Sequence, residues 1–166
     1  MKLSVNSLMF IFIIGITCCS SDFTKTEKST ESSVLNATTE GLAQITNVTT
    51  SGKENQYTFN VTIASPDLGC NQYANWWEVI DLDGNLIYRR ILGHSHVEEQ
   101  PFTRSGGPVS ISKDTKVYIR AHMNTTSYGN VVFAGSVADG FSSTTLDVEF
   151  AKELEETAPL PSGCAF

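Results

Sequence analysis

Positive charge is what this 166-residue sequence lacks first. Eleven Lys and Arg face 18 Asp and Glu, a formal net charge of −7. A protein that docks on a phosphate backbone needs a clustered basic face, so a nucleic-acid partner is excluded. Long apolar runs are missing too: the longest, Leu8 to Ile16, falls far short of the roughly 20 residues a membrane-spanning helix needs. Reactive motifs are equally scarce. Gly-x-Ser-x-Gly, His-Glu-x-x-His, Cys-x-x-Cys, a P-loop and a dinucleotide fingerprint are all absent, which removes the common hydrolase, redox and nucleotide-handling signatures and favours a non-enzymatic reading. Aromatic residues, at 10%, are frequent enough to exclude a wholly disordered chain, and the length suits one domain.

What is present begins with an address. Lys2, the apolar run and then Thr17-Cys18-Cys19-Ser20 have the layout of a secretory signal. Ile16-Thr17-Cys18 before Cys19 resembles the lipobox of bacterial lipoproteins, whose Cys is diacylated and becomes the new N-terminus. Gly15-Ile16-Thr17 before Cys18 fits that pattern less well. Parity agrees with Cys19 as the attachment site, because Cys70 and Cys164 then remain as a pair,. The resemblance implies palmitate-type acylation, a membrane partner through the anchor and a place in the bacterial cell envelope. Ser20-Ser21-Asp22-Phe23 is similar to acidic tags of some Gram-negative lipoproteins, which points to the outer membrane. From Ser20 to Thr39 the chain is Ser, Thr, Lys and Glu with scarcely an apolar residue, a tether too polar to offset its ordering entropy. The expected organisation is a signal peptide over 1–18, anchor and disordered tether over 19–39, and one folded domain over 40–166.

The folded part has a period of two. Tyr57, Phe59, Val61 and Ile63 alternate with polar residues, as do Val117, Ile119, Ala121 and Met123, each set a half-buried strand. Strands over 76–81 and 86–92 flank Asp83-Gly84-Asn85, a hairpin turn because these residues tolerate positive φ. Further strands are expected over 42–49, 108–112 and 130–137. About seven short strands predict an all-β antiparallel sandwich that resembles the immunoglobulin and fibronectin folds, with Trp77 in its core. A short helix is expected over 148–156, with Asp147 as N-cap and Phe150, Ala151 and Leu154 on one face. Cys70 and Cys164, 94 residues apart in sequence, form the expected disulfide of an exported protein, worth up to about 4.7 kcal/mol in the chain-entropy model.

Candidate chemistry rests on few residues. His94-Ser95-His96 places two imidazoles on one side of an extended segment. With His122 on the polar side of its strand, three imidazoles suit Zn(II) or Cu(II), although the spacing matches no cupin or superoxide dismutase pattern. Asp81-Leu82-Asp83-Gly84-Asn85 begins like a calcium loop, but Leu92 stands where the twelfth-position Glu is needed. Between Leu86 and His122 six basic residues meet three acidic ones. A locally basic face carrying Arg104, Arg120 and Tyr118 therefore suits an anionic ligand. Trp76, if exposed near Tyr73, suits a sugar ring; otherwise the C-terminal helix covers it. The segment from Gln100 to Pro108 reads as a long loop, where functional residues concentrate. The leading expectation is an envelope binding module for a protein or glycan. A His-based metalloprotein and a ligand-free structural component are the alternatives.

Overall fold

A computed structural model describes residues 41–165 of the chain. The expected signal peptide, the expected acylation site Cys19 and the whole of the expected tether lie outside the described residues. Nine strands run β1 Gln44–Lys53, β2 Gln56–Ala64, β3 Ala74–Asp81, β4 Leu86–Ile91, β5 Phe102–Val109, β6 Val117–Met123, β7 Ser127–Tyr128, β8 Val131–Ser136 and β9 Gly140–Thr145. All strand pairings are antiparallel. They form a three-stranded sheet, β1-β2-β5, and a larger one in the order β4-β3-β6-β8-β9, with the short β7 against β6.

The two sheets bury their facing sides against each other. Val48, Tyr57, Phe59, Val61, Ile63 and Phe102 from the first meet Trp77, Val79, Val117, Ile119, Ala121 and Phe133 from the second. These are the alternate positions of each strand, as a pleated backbone requires. The β3–β4 turn is built by Asp81, whose carboxylate accepts from the Asp83 and Asn85 amides and from Asn85 Nδ2, while Gly84 sits at φ 89°.

Three expectations change. The segment 102–109 is not a loop but β5, paired with β2 from Ile63↔Phe102 to Tyr57↔Val109. Its glycines hid it, and one has a steric reason. A Cβ on Gly106 would stand 2.8 Å from Trp77 Cζ2 and 2.7 Å from Tyr88 Oη, so the strand gives up a side chain to make room for the core indole. The strand count is nine rather than about seven, because β9 is almost wholly polar and β7 has two residues. The expected helix is a five-residue 3₁₀ turn, Lys152–Glu156, and Ala151 before it lies in the left-handed region at φ 50°, which interrupts an α-helical start.

The larger sheet has a second, outward core. Trp76, Ile80 and Tyr128 are covered by Leu154, with Leu146, Phe150 and Ala151 packed at the margin. The segment after β9 is therefore a strap across β4, β3 and β6. Its far end is tied down twice: Cys164 and Cys70 are at bonding distance, 2.12 Å between sulfurs, and the Ala165 amide donates to the Gly93 carbonyl.

Candidate functional site

Two sets of chemistry-bearing residues emerge, one sealed and one open. The sealed set lies under the strap. Glu78 on β3 faces Arg89 on β4 and Arg120 on β6 in direct cross-strand register. Arg89 Nε donates to Glu78 Oε2 at 2.7 Å and Arg120 Nε to Oε1 at 2.8 Å. All three side chains are essentially inaccessible to solvent. Two cations on one carboxylate leave an excess positive charge, which the strap's backbone answers. Arg89 donates to the carbonyls of Leu154, Thr157 and Pro159, and Arg120 to those of Phe150 and Ala151. Buried guanidinium groups demand this degree of hydrogen-bond satisfaction.

The aromatic residues complete that layer. The Arg89 guanidinium lies 4.5 Å above the Trp76 ring, and His122 stacks on Trp76 with centroids 3.7 Å apart. Arg120 lies 3.4 Å above Tyr128. His122 Nδ1 meets Asn75 Oδ1 at 2.7 Å and its Nε2 meets Glu155 Oε1 at 3.3 Å. Burial, helped by the charges of Arg89 and Arg120, outweighs Glu155 and pushes the imidazole down to about 4,. His122 is thus neutral in neutral solution.

This placement revises the expected ligand surface. Arg120 is 1% exposed and serves Glu78 and the strap. Trp76 is buried beneath the strap, with His122 and Tyr128 as its aromatic neighbours rather than Tyr73. Tyr118 is half-buried, edge-on to Phe150. Arg104 makes a bidentate pair with Glu99. Arg89 and Arg120 are buried against Glu78, while Arg104 and Lys113 pair with Glu99 and Asp114 at the surface, so among the described residues most of the basic side chains counted in sequence already have a carboxylate partner.

The open set is a cleft of about 430 Å³ lined by His94, Ser95, His96, Val97, Glu98, Glu99 and Ala165. Asp67, behind the lining, holds one wall in place. This buried carboxylate accepts from Ser65 Oγ at 2.7 Å, the Ala74 amide at 2.9 Å and the His96 amide at 2.8 Å. It thereby pins the 93–100 segment to the 65–74 loop. The other wall is the C-terminus, where Ala165 pairs with His94 in a parallel bridge. The His96 ring stacks on Phe102 at 3.8 Å and lies 4.5 Å from the His94 ring. His96 is 4% exposed, and both ring nitrogens lack a hydrogen-bond partner among the described residues. Asp67 Oδ2 is 3.9 Å from its Nδ1. Burial, and then the Arg104 charge, lowers the His96 pKa below the ordinary imidazole value. With Arg104 and Glu99 neutralising each other, Glu98 leaves the cleft with a negative bias, the reverse of the anion site expected from composition.

The structure brings together His94 and His96 but not His122, which sits under the strap with Asn75 and Glu155. Among the described residues no three His, Cys, Asp or Glu side chains stand together as a ligand set for one metal ion. Sequence reasoning missed Asp67, Asn75, Glu78, Arg89 and Glu155. One signal was available for Glu78: it shares a strand face with Trp76 and Ile80, and a charge on an apolar face needs a partner on the neighbouring strands.

Comparison with known proteins adds one relative. A chain of Halomicrobium mukohataei described as "Putative lipoprotein" is 37% identical over 98 residues. The match covers 59% of this chain and 47% of that one, so the chain spans less than half the length of that relative. No protein-family model matches the sequence, and no solved structure matches it. No helix among the described residues is long and apolar enough to cross a membrane.

Proposed function

We propose that this chain is a lipid-anchored protein of the cell envelope whose β-sandwich head is a non-enzymatic binding module, with the cleft of His94, His96 and Glu98 as its ligand site. The single observation that carries the reading is His96. An imidazole this deeply buried, with both nitrogens unpartnered beside an open cleft, is an uncompensated desolvation that a bound ligand relieves. The negative bias of the cleft favours a cationic partner over the anionic one suggested by composition.

The anchor reading rests on the lipobox-like residues before Cys19 and on the name carried by the relative of Halomicrobium mukohataei. In that reading residues 1–18 are removed, Cys19 carries the acyl chains and residues up to Thr39 tether the head. The outer membrane, which the acidic tag suggests, is the proposed location. The strand order supports an immunoglobulin- or fibronectin-like head. Lettered along the chain, β1-β2-β5 corresponds to A-B-E and β4-β3-β6-β8 to C′-C-F-G, with the buried Trp77 on strand C,.

Backbone amide spectra of the head, titrated with a panel of small amines, acidic sugars and phosphate, test the module. Binding at the site shifts the resonances of residues 94–99 and Ala165, and His94→Ala abolishes those shifts. A panel that leaves these resonances unmoved contradicts the reading and favours a ligand-free structural component. The anchor is tested separately: Cys19→Ala releases the protein from the membrane pellet, and retention there contradicts acylation at this residue.

A further inference from the structure

We propose that His94 and His96 together bind one divalent first-row transition ion, Zn(II) or Cu(II), through two imidazole nitrogens, with water completing the coordination sphere. The inference rests on the reading of the 94–99 cleft as a ligand site and names the ligand's chemical class. It differs from the three-histidine centre suggested by composition, because His122 is committed to Asn75 and Glu155 beneath the strap.

Four observations converge. The two rings lie 4.5 Å apart between centroids, a spacing compatible with one ion held between two imidazoles at the usual metal–nitrogen distance of about 2 Å. Both His96 nitrogens are shielded from solvent, so the ion enters as the exposed His94 ring swings aside. His96 is held in place by its stack on Phe102 and its amide bond to Asp67, so half of the site is preorganised. The carboxylate of Asp67 stands on the Nδ1 side of the His96 ring, 3.9 Å away. At that distance it makes no hydrogen bond to the ring, but its negative charge favours the proton on the Nδ1 it faces and so leaves the lone pair on Nε2. Glu98 lines the same cleft, and its carboxylate has no hydrogen-bond partner among the described residues. It supplies the negative potential that draws a cation in. Imidazole nitrogen is a borderline donor that selects Zn(II) and Cu(II) over Mg(II) and Ca(II).

The test uses the full chain purified without a polyhistidine tag, titrated with ZnSO₄ against a colorimetric chelator and with CuSO₄ by electron paramagnetic resonance. The expected result is one equivalent of metal whose affinity falls about 10–100-fold or more in His94→Ala and is unchanged in His122→Asn. The Cu(II) spectrum of the wild-type protein then shows coupling to two imidazole nitrogens, reduced to one in the variant. His94 is exposed, so its replacement leaves the fold intact; His96→Gln, checked for folding by its amide spectrum, gives the same loss. Equal affinity in wild type and His94→Ala, or no bound metal, overturns the inference. If metal fails while an organic compound of the panel still shifts residues 94–99, the metal assignment falls and the binding-module reading stands. If both fail, both fall.

Discussion

His122 is where residue-scale physics makes the firmest statement. Its native pKa is held near 4 by burial, against an ordinary value near 6.5 in the unfolded chain. The unfolded state therefore takes up the proton first as the solution is acidified. Stability is fully present above about pH 6.5 and is lost as pH falls toward 4, by at most about 3 kcal/mol from this group. Urea unfolding at pH 7 and pH 4.5 measures the loss, and His122→Asn flattens it; an unchanged slope in the variant contradicts the account. Gly106 makes the complementary steric prediction. Since a Cβ there would stand under 3 Å from Trp77 and Tyr88 atoms, Gly106→Ala destabilises the head by about 1–3 kcal/mol through overpacking. Chemical denaturation checks that figure.

At the scale of elements, the strap decides which chemistry is available. It is held by the carbonyl bonds to Arg89 and Arg120 along its length and by the disulfide at its end. Removing Glu78 leaves two buried guanidinium groups facing each other without their shared carboxylate, so Glu78→Gln costs about 3–5 kcal/mol, read by the same unfolding assay. The disulfide acts differently, by restricting the unfolded chain, with a contribution of up to about 4.7 kcal/mol for a loop of this size. Reduction therefore lowers the melting temperature and speeds hydrogen exchange at Ala165, while Leu154 and Thr157 stay protected. Simultaneous release of all three amides would show that the arginine contacts do not hold the strap. The period-two strands and the Asp83-Gly84-Asn85 turn were legible because each obeys a local rule. Strands β5 and β9 were not: Ser105-Gly106-Gly107-Pro108 carries turn residues, and Gly140–Thr145 has no apolar alternation. Both are strands because a neighbouring strand offers a ladder, which is a tertiary fact.

The whole molecule shows why composition misled about the site. Charge counted along the sequence does not say whether a guanidinium faces water or a buried carboxylate. Arg120 and Arg89 look like surface residues until Glu78 is found opposite both. The His94–His96 pair was legible from its spacing, and its separation from His122 became visible only once β6 was seen beneath the strap. The Cys70–Cys164 pair followed from cysteine parity together with the expected export of the chain. The central claim is that the strap seals the Trp76–Glu78–Arg120 face, while the His94–Glu98 cleft stays open to solvent as the proposed ligand site. Residue-resolved covalent labelling of the folded protein, with diethyl pyrocarbonate for histidine and phenylglyoxal for arginine, measures this directly. The account predicts fast modification of His94 and Arg90, with His122, Arg89 and Arg120 protected until the chain unfolds. Labelling of His122 and Arg120 as fast as His94 and Arg90 would contradict it.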